Sequence, residues 1–371
     1  MCNALGIVNF EDSAVDIVGM SDYRTISAIS FLGRYRLIDF VLSNMSNSGI
    51  QQVQVYIKNK PRSIIEHIGA GEQYNINPKR GRMHILHGEQ TVRSEVYNHD
   101  IANFIQNIHF IEEVNLPYVI IAPSYMIYRC DYNELLKQHI QSGNDITLLY
   151  KNTDEAKESF VDCDVVMLDR ERRVVGFEKN RGKYKNRNIS MECYVMSKRL
   201  FLELIKRGSN TSALYWLKDI LADCCMEYKI GGVAHKGYVG CINSLKSFFH
   251  ESMDRSKLEN VHELFNDQWP IYTKTNDSSP THYGSQVRVK SCAIANGCSI
   301  EGTIENCVLG RNVTVKKGAV VRNCILLQGS YIGEDAKLDH VIVDKEAIVH
   351  HVKQLVGTED APIYVKRRDR I

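Results

Sequence analysis

From Leu309 to Tyr331 the chain repeats an apolar position every six residues. Leu309, Val315, Val321 and Leu327 form one series, and Val313, Ala319, Ile325 and Tyr331 form a second. Later turns slip by a residue, at Ile332, Leu338 and Val343. Gly310, Gly318, Gly329 and Gly333 fall near the corners of this rhythm, where positive φ is useful. Few folds tolerate such a period. It predicts a parallel β-helix, in which each coil buries its apolar side chains only against neighbouring coils. The rhythm begins near Val287, so residues 287–371 are assigned to it. Cys292 and Cys298 share the six-residue spacing and are expected to stack inside the helix as small core residues.

The preceding part of the chain follows other periods. Ala4 to Val8, Val53 to Ile57, Tyr118 to Ala122 and Ile146 to Tyr150 read as short buried strands. Ile38, Val41, Leu42 and Met45 recur at helical spacing until Ser48-Gly49 stops them, and Ile101, Phe104, Ile105, Ile108 and Ile111 predict a second helix. A third starts at Asp131 with Glu134 three residues on, and Gly143 closes it after Leu135, Leu136, His139 and Ile140. Strands alternating with helices predict an α/β domain whose mostly parallel sheet is covered on both faces. Such sheets take ligands beyond the carboxyl ends of their strands. The organisation expected is an α/β domain over 1–264, a linker over 265–286 that contains the turn-rich Asn276 to Pro280, and the β-helix. At 371 residues, each domain has enough chain for its own core.

Charge narrows the choice of partners. Lys and Arg number 46 against 44 Asp and Glu, a formal charge of +2, which gives no attraction to nucleic acid or membrane. The basic tail Lys366 to Arg370 reads as a solvated end. No apolar run spans a bilayer, and Met1-Cys2-Asn3 opens into a strand rather than a signal peptide. With eleven cysteines and no zinc-type pairing among them, a reducing cytoplasm is expected, with thiols as core residues and no metal site.

Several segments carry a specific resemblance. They are Arg34 to Ile50 (Arg-Tyr-Arg-Leu-Ile-Asp-Phe-Val-Leu-Ser-Asn-Met-Ser-Asn-Ser-Gly-Ile), Asp131-Tyr132, Phe177-Glu178-Lys179, Trp269-Pro270-Ile271, Ala295 to Cys298, Glu301 to Asn306, Lys317 to Val321 and Val356 to Glu359. Together they cover nearly the whole chain and resemble the ADP-glucose pyrophosphorylase (glucose-1-phosphate adenylyltransferase) family. The resemblance implies a nucleotidyltransferase-like, Rossmann-like domain followed by a left-handed β-helix. It also implies a reaction joining ATP to glucose 1-phosphate, with a glycine-rich loop for the triphosphate, a nearby lysine and two aspartates holding Mg²⁺.

Those chemical elements are missing here. The loop after the first strand reads Val8-Asn9-Phe10-Glu11-Asp12-Ser13-Ala14, with no glycine between Gly6 and Gly19, and Glu11 and Asp12 oppose a triphosphate. Ile26 stands at the lysine position, within Arg24-Thr25-Ile26-Ser27. The family's glycine-threonine-alanine-aspartate turn aligns with His99-Asp100-Ile101-Ala102, which reads only as a helix start. The two metal aspartates align with Ser124 and Tyr238, neither of which anchors Mg²⁺ as a carboxylate does. Lys179 and Ser190 match the sugar-phosphate elements, but Glu192 replaces a glycine and repels a phosphosugar. Arg34, Arg36, Lys58, Lys60 and Arg62 are candidates for receiving an anionic effector, or are solvated charged loops.

The resemblance therefore implies a degenerate member, similar to the regulatory D-type subunit of bacterial glycogen synthesis. No cofactor is expected on this chain, with Mg²⁺ and ATP used by a catalytic subunit in a heterotetramer, or a homo-oligomer in its absence. The alternatives are a weakly active adenylyltransferase and a stand-alone binder of a sugar phosphate or polysaccharide.

Overall fold

The computed structural model describes residues 2–11, 15, 17–76, 81–88, 99–212 and 214–371. Two compact units emerge, each assembled from several stretches of chain. The first comprises Met1–Val15, Ile38–Cys241 and Gln268–Tyr272, and the second Asp16–Leu37, Ile242–Asp267 and Thr273–Ile371. Contacts thus group the excursion Asp16–Leu37 and the segment Ile242–Asp267 with the repeat region, a partition that periodicity along the chain does not carry.

Among the described residues, the first unit is built on a nine-stranded sheet. Its first strand, Ala4–Asn9, lies parallel between Gln52–Ile57 and Tyr118–Pro123, and Gln52–Ile57 continues in parallel to Arg82–His87. Arg187–Ser197 runs antiparallel to both Tyr118–Pro123 and Ile146–Thr153, and Ile230–Ala234 closes parallel on the latter. Ala4, Leu5, Ile7 and Val8 are all fully buried, as a sheet covered on both faces requires. One face packs Leu5, Ile7, Val119, Ile121 and Leu148 against Phe104, Phe201 and Leu204 of the covering helices.

The helix Tyr132–Ser142 begins as its sequence implies, with the Asp131 carboxylate accepting from Asn133 N and Glu134 N and Gly143 closing it at φ 61°. The expected helix over Ile101 to Ile111 is instead two, Asp100–Gln106 and Ile108–Glu112. Asn107 explains the break. Its backbone leaves the helical region at φ −107° and ψ 19°, while its amide keeps the bond to Asn103 O and its side chain donates to the carbonyls of Asn103 and His87.

The second unit carries three parallel five-stranded sheets, the faces of a β-helix. Ser299 pairs with Thr314 and Thr314 with Tyr331, so a coil returns after 15 and then 17 residues. Residues six apart therefore lie on neighbouring faces of one coil, whereas stacked residues are a whole coil apart. This corrects the cysteine expectation. Cys292 meets Cys307, which meets Cys324 on the next coil, while Cys298 turns its thiol to the carbonyls of Ala295 and Gly310. All of these except Cys292 are buried in a core of Ile300, Ile304, Leu309, Val315, Val321 and Leu326.

Candidate functional site

The parallel strands Ala4–Asn9 and Tyr118–Pro123 end side by side, with Asn9 opposite Pro123. Beyond those ends the fold should leave a ligand cleft. Among the described residues, Asn9, Phe10, Asp100, Glu192, Trp216 and Lys218 are the principal groups lining a pocket there of about 10 Å³, room for about one water. Phe10 meets the Trp216 ring edge-on at 5.7 Å, and the Lys58 ammonium lies 5.6 Å from that ring's centroid.

Asp100 is the cleft's most constrained charge. Its carboxylate accepts from Asn9 Nδ2 at 2.8 Å, Ile101 N at 2.7 Å and Leu217 N at 3.0 Å. Burial pushes this acid up to about 7, against the pull of those donors and of Lys218. His99 caps the same helix through Nδ1, 3.3 Å from Ala102 N. Sequence reasoning passed over Asp100 because an acid in a first helical turn is unremarkable.

A second carboxylate enters from the bulge in Arg187–Ser197, between Ser190 and Cys193. There Glu192 adopts φ 48°, a left-handed backbone that favours glycine. Its Oε1 accepts from the buried Tyr125 hydroxyl at 2.7 Å, and its amide donates to Ser190 Oγ at 3.2 Å. Ser190 is fully buried. Ser124 is buried as well; its amide donates to Asn9 O at 3.1 Å, and its Oγ has no partner among the described residues. Tyr238 is half-buried and follows Gly237, whose carbonyl accepts from Lys151 Nζ at 2.5 Å. Nearby, burial and the Lys151 charge push the His235 imidazole down to about 4.

Several cations of this unit are paired internally. Lys179 Nζ lies 2.8 Å from Asp164 Oδ1, and Lys218 Nζ lies 3.5 Å from the same residue's Oδ2. Glu178 takes Arg187 at 2.7 Å. Lys60 is exposed at φ 52°, and Arg62 is an exposed partner of Glu66 at 2.8 Å. Glu11 is buried, and Asp12 lies outside the described residues.

The second unit presents the opposite balance. Arg24 Nη2 sits 2.5 Å from Asp344 Oδ2 with both side chains buried, and Tyr364 donates to the same oxygen at 2.5 Å. Around this pair stand Lys345, Arg36 and Arg367. Desolvation, then the Arg36 and Arg24 charges, push the Lys345 ammonium down to about 7, with Asp344 opposing and Arg367 adding to the shift. Arg24 Nη1 and Arg367 Nε are buried with no hydrogen-bond partner among the described residues. Of the five basic residues marked from sequence, Arg34 and Arg36 fall in this unit and Lys58, Lys60 and Arg62 in the first. Arg34 stacks over Tyr35 at 5.2 Å, and only Arg36 acts on Lys345. The pairing of Arg24 with Asp344 escaped sequence reading because the two lie 320 residues apart, and Arg367, expected in a solvated end, is instead half-buried with its Nε enclosed.

Comparison with known proteins now decides the family. The nucleotidyl transferase model matches residues 19–250, and the GlmU-like C-terminal hexapeptide model matches 278–362. The chain is 33% identical over 324 residues to the glycogen biosynthesis protein GlgD of Geobacillus stearothermophilus, covering 85% of this chain and 82% of that protein. The chain belongs to the glucose-1-phosphate adenylyltransferase family of nucleotidyl transferases. A second GlgD, from Bacillus subtilis (strain 168), is 28% identical over 369 residues, covering 98% of this chain and 95% of that protein. The glucose-1-phosphate adenylyltransferase of Clostridium perfringens (strain SM101 / Type A) is 31% identical over 310 residues, covering 82% of this chain and 79% of that protein.

Within this adenylyltransferase family the residues present do not fit a Mg²⁺ site. Ser124 offers one neutral hydroxyl, Asp100 is engaged by three amide donors and Glu192 by Tyr125. Among the described residues no three His, Cys, Asp or Glu side chains converge as a ligand set. Ile26, at the family's lysine position, is a buried apolar residue in the short helical turn Ile26–Ala28 of the second unit. Nor is any helix among the described residues long and apolar enough to cross a membrane.

Proposed function

We propose that this chain is a non-catalytic regulatory subunit of glucose-1-phosphate adenylyltransferase, acting in cytoplasmic glycogen synthesis beside a catalytic subunit that uses ATP and Mg²⁺. One observation carries the reading: among the described residues the pocket at these strand ends keeps only about 10 Å³, with Lys179 and Lys218 paired to Asp164 and with Asp100 and Glu192 held by Asn9 and Tyr125. In-line adenylyl transfer needs two anions placed together and their charge neutralised, and among the described residues no cluster of His, Cys, Asp or Glu is set to hold a metal for that purpose. The names of the GlgD relatives add the glycogen context.

A subunit without chemistry changes a partner's rate when its contacts favour the partner's active conformation. In this reading the surplus of cations around Lys345 receives a phosphorylated effector, with Arg24 Nη1 and Arg367 Nε as donors awaiting an acceptor. The test is sizing by light scattering, with the chain alone, the catalytic homologue from the same cell alone, and the two mixed. A mixed species containing both chains is expected, with a heterotetramer mass. Separate elution of the two chains at every ratio overturns the assignment.

A further inference from the structure

Two thiols of the first unit face each other beside the filled cleft. Cys163 and Cys241 are separated by 78 residues of chain, yet their Sγ atoms lie 3.4 Å apart. Cys163 precedes the strand Asp164–Leu168, and Cys241 ends the strand Val239–Cys241, which pairs with Met126–Tyr128 in a separate two-stranded ribbon. Both side chains are about 4% exposed. Both also sit close enough to Tyr125, the hydroxyl that holds Glu192, to act on its charge. The two strands come from different sheets and are fixed by different neighbours. Nothing in the backbone pairing requires thiols to meet here.

We infer that Cys163 and Cys241 form a reversible disulfide, a modification site that ties the ribbon carrying Val239 to the main sheet. The sulfurs need to close by little more than 1 Å to reach bonding distance, a shift within reach of χ1 adjustment. The oxidant has to be small because the pair is buried, and a peroxide fits. One thiolate attacks the peroxide oxygen, breaking the O–O bond and giving a sulfenic acid and water. The second sulfur then displaces the sulfenic hydroxyl as a second water while its own proton is lost. In total, two thiols and one hydrogen peroxide give one disulfide and two waters, with two electrons passing from sulfur to oxygen. A thiol reductant reverses it by exchange. Cross-linking across a long loop also restricts the unfolded chain, so the oxidised form is the more heat-resistant.

The experiment uses the full chain, reduced and then exposed to dilute hydrogen peroxide. It is denatured in an alkylating agent, and both the intact mass and the peptide map are read. The expected result is a single disulfide joining the Cys163 and Cys241 peptides, with the remaining nine of its eleven cysteines alkylated. The cross-link disappears on thiol treatment, and the thermal midpoint rises on oxidation and returns on reduction. Cys163→Ser and Cys241→Ser each abolish the cross-link and the rise; Cys163→Ala serves in place of either serine variant that fails to fold. Alkylation of both residues after peroxide, or a cross-link confined to Cys292, Cys307 and Cys324, overturns the inference.

Discussion

The cleft of the first unit and the basic cluster of the second treat charge in opposite ways. In the cleft Lys179 and Lys218 share Asp164, and Asp100 and Glu192 have their own donors. In the cluster Arg24 pairs with the buried Asp344 and Arg367 reaches the exposed Glu346 at 4.0 Å, while the Lys345 ammonium is pushed down by burial and then by Arg36 and Arg24. A balanced site has no electrostatic reason to take an anion, and an unbalanced one does. On the function proposed above, the contrast points to the basic cluster as the place to look for ligand recognition.

The largest effect expected from disturbing this balance is at Arg24. Arg24→Met leaves Asp344 buried with only Tyr364 and the Lys345 amide, and should cost about 3–5 kcal/mol in denaturant unfolding. A loss below about 1 kcal/mol shows that the pair is not desolvated as described.

Anion binding comes next. A folded Lys345 near 7 lies below its unfolded value of about 10.5, so its charged form is unfavourable in the native cluster. Without ligand, stability should rise as pH climbs from about 7 towards 10, because the unfolded chain holds the extra proton in that window. Sulfate, whose charge is constant there, should bind roughly tenfold more tightly at pH 6 than at pH 8 by calorimetry. Lys345→Met should flatten that dependence. An unchanged slope in the variant removes Lys345 from the site.

Asp100 sharpens the other side. Its folded value near 7 exceeds the unfolded value near 4, so its contribution is fully present below pH 4 and is lost as pH rises to 7. Asp100→Asn does not titrate, so the stability difference between the two proteins should drift in favour of the variant by about 3 kcal/mol over that window. A constant difference would mean the carboxylate stays ionised throughout.

The smallest change in stability belongs to Glu192→Gly. It relieves a left-handed backbone but strands the Tyr125 hydroxyl, and the two should cancel to within about 1 kcal/mol. Its value lies in binding. Weak heat with glucose 1-phosphate in the variant and none in the wild type would identify Glu192 as the plug; no heat in either shows that the cleft is closed by more than one residue.

How much of this was readable beforehand depends on how local the cause is. Hexapeptide spacing depends on neighbours along the chain, so the β-helix was legible, as were the Asp131 cap and the Gly143 stop. Coil length was not, and Cys292 was matched to Cys298 instead of Cys307. The helix breaks at Asn107, whose backbone leaves the helical region while its side chain bonds carbonyls that apolar periodicity ignores. At the site, the substitutions Ser124, Tyr238 and Ile26 were visible against the resemblance. The partners that decide charge were not. Arg24 with Asp344, Asn9 with Asp100 and Tyr125 with Glu192 are brought together only by tertiary structure.

The central claim is that this chain does no adenylyl transfer and acts through a partner. Pyrophosphate release should therefore be measured with ATP, glucose 1-phosphate and Mg²⁺ for the chain alone, the catalytic homologue alone and the two premixed. The account predicts no release above the protein-free rate for the chain alone, and a faster rate per catalytic subunit in the mixture. Turnover by the chain alone, or a mixture no faster than the catalytic subunit by itself, would contradict it.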